Sequence, residues 1–207
     1  MKKSFLMILI LLFIPMLGWS VVRAPGAMPS TKDVRTEFWQ AVVTNDVTRA
    51  KKALRKDKSL VFASQNGRTG YLLAVEKGNK KMAWFLVESF SRLNASCERG
   101  NALHIAVENQ DFGMIKLVMK AAQDEDEELL TRLINSPRLT AKQGQNKADM
   151  NTPLHIAALL CDRDIYNYLV SFDGNEKARN ANFQTPKEIL ETCPPEPKEK
   201  PKKENKD

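Results

Sequence analysis

The tetrapeptide Leu-His-Ile-Ala occurs twice, at residues 103–106 and 154–157, and holds His104 and His155, the chain's two histidines. Aligning on it exposes four related segments that begin at Thr69, Asn101, Thr152 and Thr185. Successive starts lie 32, 51 and 33 residues apart, so the chain carries a unit of about 33 residues, and the middle interval is one unit plus an insertion. A divergent copy, residues 37–57, precedes them in the same helix-turn-helix phase. A period of this size constrains the fold strongly, because such a unit cannot bury its apolar face alone and must stack on its neighbours.

Local chemistry gives each unit its form. Pro153 and Pro186 sit where a first helical turn needs no N–H, and Thr152 and Thr185 precede them as N-caps. Leu154, Ala157 and Ala158 form an inner helix face, and Ile165, Tyr168, Leu169 and Phe172 an apolar stripe on the following helix. Trp39 and Trp84 are expected to fill the core.

The period and the segment TPLHIAA resemble the ankyrin repeat, a turn leading into two helices. The resemblance covers residues 36–191, is fullest at Thr152, good at Asn101, and weak at Thr69, where Gly70 and Leu73 replace Pro and His. It implies an all-α solenoid of about four repeats plus a partial C-terminal cap, spanning residues 33–193, with an insertion at about 120–150 in the third repeat. It also implies a structural role for His104 and His155, each bonding the cap and backbone of its own or the next turn. Asn101 stands where Thr152 stands in the fuller motif, which leaves the partner of His104 open.

The ends of the chain differ in composition from this middle. Lys2 and Lys3 precede an uncharged apolar run from Phe5 to Leu17, the pattern of a secretory signal peptide over residues 1–24, cleaved after Ser20 or Ala24. An uncleaved anchor helix extending to Val22 is the alternative. Both readings take the body of the protein out of the cytoplasm, and cleavage leaves no stable membrane anchor. Residues 194–207 are proline-broken and charged, and are expected to be a disordered tail. From Pro25 onward 29 bases face 25 acids, a mild excess that argues against nucleic acid as the main ligand.

In the insertion, Asp124 and Glu127 have capping-box spacing, and Leu129, Leu130, Leu133 and Ile134 share one face. An added helix followed by a long flexible segment, Pro137 to Met150, is expected. The acid run from Asp124 to Glu128 reads as a helix start rather than a cation site.

Of the three cysteines, Cys161 and Cys193 lie near the same end of neighbouring inner helices, so a disulfide between them is open. Cys161 also stands where the other units place Gly78, Gln110 and Asn45, at a sharp turn that is costly for a cysteine in the left-handed conformation. No nucleophile–base pair, phosphate loop or metal cluster is legible, so the reading has no catalytic residue, no metal and no cofactor.

What remains is binding. By the family's habit of binding through turn tips and the ends of inner helices, the contact positions are Gln65, Asn66, Arg68, Glu76 and Lys77, then Glu98, Glu108 and Asn109, then Asp149, Asn151, Leu159 and Leu160, and finally Asn182 and Gln184. Met150 and Phe183 replace turn glycines in the last two units. Leu159 and Leu160 are an apolar pair at a place that is normally polar, which is either a hot spot or a contact beneath the insertion or cap. The whole looks like small exported bacterial ankyrin proteins, including those by which predatory bacteria protect themselves from their own peptidoglycan hydrolases. A monomer that binds such a periplasmic hydrolase and blocks it is the expectation. A companion of a periplasmic enzyme such as a catalase, or a secreted host-binding factor, is the alternative.

Overall fold

A computed structural model describes residues 31–139 and 148–195. The leader with both cleavage positions, most of the loop expected after Pro137, and most of the charged tail lie outside the described residues. The chain is mostly helical: ten α-helices are found among the described residues, with two short β-ribbons.

Eight of the helices come as pairs in chain order: α1 (Thr31–Val43) with α2 (Val47–Lys56), α3 (Gly70–Glu76) with α4 (Lys80–Glu88), α5 (Ala102–Glu108) with α6 (Phe112–Glu125), and α8 (Pro153–Leu159) with α9 (Arg163–Val170). The first members pack in series, α1 on α3, α3 on α5, α5 on α8, and α8 on the short α10 (Pro186–Glu191). Helix α7 (Glu127–Asn135) packs against α5, α6 and α8. The core runs as a strip through these contacts and includes Phe38, Leu72, Leu86, Leu103, Ile115 and Leu154, all at 0% exposure.

Each pair is joined by the same device. Asn45, Gly78, Gln110 and Cys161 have φ of 57°, 69°, 52° and 54°, reversing the chain in the left-handed region. The next residue caps the second helix in three of the four cases: Asp46, Asp111 and Asp162 accept the N–H groups of Arg49, Met114 and Ile165 at 2.9, 3.0 and 2.9 Å. Asn79 turns away and donates to the Val42 carbonyl at 3.2 Å, tying its pair to the preceding one.

The first helices start as their caps dictate. Thr69, Asn101, Thr152 and Thr185 each accept a backbone N–H from the first turn, and the last three form capping boxes. Gly70 replaces proline because a β-carbon there would come within 3.0 Å of the Phe38 ring. Before α3, β1 (Ser64–Gln65) and β2 (Arg68–Thr69) pair around Asn66 and Gly67, both at positive φ, as a two-residue hairpin requires. β3 (Ser96–Cys97) and β4 (Gly100–Asn101) form the second ribbon.

Three details differ from expectation. Helix α6 continues to Glu125, so α7 is capped by Asp126, which accepts the Glu128 N–H at 3.1 Å, rather than by an Asp124–Glu127 box. Its apolar face is as expected, with Leu129, Leu130, Leu133 and Ile134 buried. Trp84 is not core: it is 37% exposed and its Nε1 donates to Glu88 at 2.8 Å, whereas Trp39 is buried edge-on against Phe38. In α9 the buried tyrosine is Tyr166, while Tyr168 is half-buried between the rings of Phe112 and Phe172.

Candidate protein-binding surface

The two histidines are built into the frame. His155 Nδ1 accepts the Thr152 N–H at 3.2 Å, which leaves the proton on Nε2 to donate to the Gln184 carbonyl at 3.0 Å in the next turn. His104 reaches the corresponding groups, the Asn101 N–H at 3.3 Å and the Asn151 carbonyl at 3.1 Å, but its Nδ1 also lies 2.8 Å from Asn101 Oδ1, an acceptor where His155 meets the Thr152 hydroxyl. Burial holds both rings neutral, and His104 is pushed down to about 4. A neutral ring with both nitrogens engaged is no general base. Cys97, which lines a cleft with His104, is buried, and that burial pushes its thiol up. The pair therefore lacks an activated nucleophile as well as a base.

Eleven of the fourteen predicted contact residues fall into two groups. Gln65, Asn66, Lys77, Asn182 and Gln184 are exposed at turn tips or helix ends. Arg68, Glu76, Glu98, Glu108, Asn109 and Asp149 are instead drawn into one charged strip. Arg68 pairs with Glu98 and, at 2.8 Å, with Glu76; Arg99 reaches Glu76 at 3.8 Å and Glu108 at 2.9 Å. Arg138 then joins Glu108 to Asp149, with its Nε donating to Asp149 Oδ1 at 3.0 Å. Asn109 accepts from Arg99 at 3.0 Å and donates to the Glu76 carbonyl at 3.1 Å. Acid and base alternate along the strip, so its side chains are held in fixed places before any partner arrives.

Arg138 was not legible as a participant, because it lies in the stretch expected to be flexible. It is 2% exposed. Burial works against its charge, but Asp149 and Glu108 outweigh that and raise its pKa. The signal that points to it is slight: a single arginine just after Pro137, in an insertion that must return to the array beside two acids.

Asn151 is a correction. Its side chain is buried, accepting from Asn180 at 3.0 Å, and its carbonyl takes hydrogens from His104 Nε2 and, at 2.9 Å, from the Arg138 N–H. It fastens the returning insertion to the frame and has nothing to offer a partner.

Leu159 and Leu160 end α8 at 56% and 40% exposure, covered by neither the insertion nor the cap among the described residues. Met150 and Phe183, at the neighbouring turn tips, are 41% and 76% exposed and have φ of 54° and 60°, the conformation that the missing glycines would have adopted freely. Cys161 follows Leu160 directly and is joined by a disulfide to Cys193, with Cα atoms 5.6 Å apart. The bridge closes the end of α8 onto the end of α10 and so fixes the backbone next to the exposed leucines.

Among the described residues no group of His, Cys, Asp and Glu could hold a metal ion. No family model matches this chain, and no curated protein matches it.

Proposed function

We propose that the chain is an exported ankyrin-repeat protein that binds a protein partner and blocks it sterically, the partner being an enzyme outside the cytoplasmic membrane such as a peptidoglycan hydrolase. The exposed Leu159–Leu160 pair at the end of α8 carries this reading, with the ion-paired strip reaching Glu108 at the end of the adjacent α5. An exposed apolar pair near preorganised charges has the composition of a protein interface. The four helix pairs with one turn device, and the two histidines bonding into the next turn, support the repeat reading. A disulfide fits an oxidising compartment, as does the lysine-led apolar leader. An interface of ordinary size, roughly 800 Å² per partner, is enough to cover an active-site mouth.

The test is capture of partners from the periplasmic extract of the source organism, with the Leu159→Asp/Leu160→Asp variant beside the natural protein. The natural protein is expected to retain an enzyme whose activity falls when the protein is added back. The variant, altered only at exposed positions, is expected to fold normally and bind roughly a hundred-fold more weakly. Recovery of an enzyme whose activity is kept or raised would replace inhibition by a companion role. Equal capture by the variant would move the interface elsewhere.

A further inference from the structure

Residues 47–62 hold six bases, Arg49, Lys51, Lys52, Arg55, Lys56 and Lys58, against one acid, Asp57. Asp57 is engaged in capping the 3-10 turn over Lys58–Phe62, where it accepts the Ser59 N–H at 2.9 Å. Ala50, Ala53 and Leu54 are the buried face of α2, so its bases line the outer side of the first pair. Two exposed rings, Phe62 at 50% and Phe90 at 84% exposure, line a groove of about 450 Å³ together with Lys51, Arg55, Lys58 and Phe85. The Arg92 guanidinium lies 5.7 Å from the centre of the Phe62 ring. Among the described residues lining the groove the one acid is Glu88, which accepts from Trp84.

Phe90 is the more informative ring. It ends α4 with φ of 64°, and the Ser91 N–H closes back onto the Leu86 carbonyl at 3.1 Å. Glycine or asparagine takes that left-handed position at little cost, and a phenylalanine takes it only with strain. The sequence thus accepts strain to hold a large apolar ring in water, which selection on folding alone would remove.

We infer that this edge of the first two helix pairs is a docking surface for an anionic phospholipid bilayer. Phe90 protrudes from a chain reversal at 84% exposure, and a protruding ring suits a yielding surface better than a rigid protein, which would need a matching cavity. Bases around protruding apolar rings meet lipid phosphates while the rings reach the acyl boundary. The surface uses α2, the 3-10 turn and the end of α4, and leaves Leu159 and Leu160 on α8 for a partner.

The full chain, expressed with its own leader and used in the form that export leaves, is sedimented at low ionic strength with vesicles of phosphatidylcholine alone or with about a third phosphatidylglycerol. It is expected to sediment with the anionic vesicles and not with the neutral ones. Binding is expected to weaken roughly ten-fold or more in Phe90→Asn and in Lys51→Glu/Arg55→Glu. Phe90→Asn is expected to unfold at the same temperature as the natural chain or higher, which separates lost docking from lost folding. No sedimentation with anionic vesicles, equal sedimentation with neutral ones, unchanged binding by Phe90→Asn, or Phe90-dependent binding to an acidic peptide without any to vesicles would each overturn the inference.

Discussion

His104 donates its Nε2 hydrogen to the carbonyl of Asn151, 3.1 Å away and 47 residues further along the chain. The bond passes over the whole insertion, so a residue of the third pair's first helix holds the turn that begins the fourth. Burial, not this bond, keeps the ring neutral, and that makes stability depend on pH. In the folded chain burial holds His104 down at about 4, while an unfolded histidine takes up its proton near 6.5. Between these values the unfolded chain binds more protons than the folded one, so this contribution is complete above about pH 6.5 and is lost as pH falls toward 4. Its full size is on the order of 3 kcal/mol, and His155 is shifted in the same direction. Urea unfolding at pH 7 and at pH 4.5 is expected to show this loss. A flat profile across that range would contradict the neutral-histidine account.

Arg138→Met is expected to destabilise the fold by about 2–3 kcal/mol, measured by chemical unfolding. The side chain is nearly fully buried, and its removal leaves Glu108 facing Asp149. Partial exposure of Asp149 keeps the loss below that of a fully enclosed pair. Arg138→Lys retains the charge but not the two-pronged contact, so it is expected to fall between the natural chain and Arg138→Met.

The disulfide and the turn conformation of Cys161 act in opposite directions. Closing a loop of this length stabilises by about 3–4 kcal/mol in the chain-entropy view, while the left-handed backbone at a non-glycine residue costs about 1 kcal/mol. Cys161→Ser/Cys193→Ser is expected to unfold more easily than the oxidised chain, and Cys161→Gly/Cys193→Ser to recover about 1 kcal/mol of the difference. Equal stability of the two variants would show that the turn is unstrained.

Met150→Gly/Phe183→Gly is expected to raise the unfolding temperature, because glycine adopts their positive φ without strain. Each change is expected to contribute up to about 1 kcal/mol. If binding to a captured enzyme falls while stability rises, the two exposed side chains belong to the interface with Leu159 and Leu160.

Much of this was legible because it depends on short-range chemistry. Thr152, Pro153 and Thr185 announce helix starts, and the recurrence of a left-handed residue before each second helix follows from spacing alone, even for Cys161. The apolar face of α7 was legible from its four residues. Which exposed polar residues were free for a partner was not. Arg68, Glu76, Glu98, Glu108 and Asp149 come from five separate turns and helices, and their alternation with Arg99 and Arg138 exists only once stacking brings those elements side by side.

The sequence by itself therefore determined the helix starts, the turn conformations and the period, since each is decided within a few residues by caps, backbone sterics and the need to bury a periodic apolar face. Tertiary structure alone decided that Asn151 is enclosed, that Trp84 is left outside, and that Arg138 returns from the insertion to join two acids. These outcomes depend on distances between segments far apart in the chain, and charge and burial act through space rather than along it.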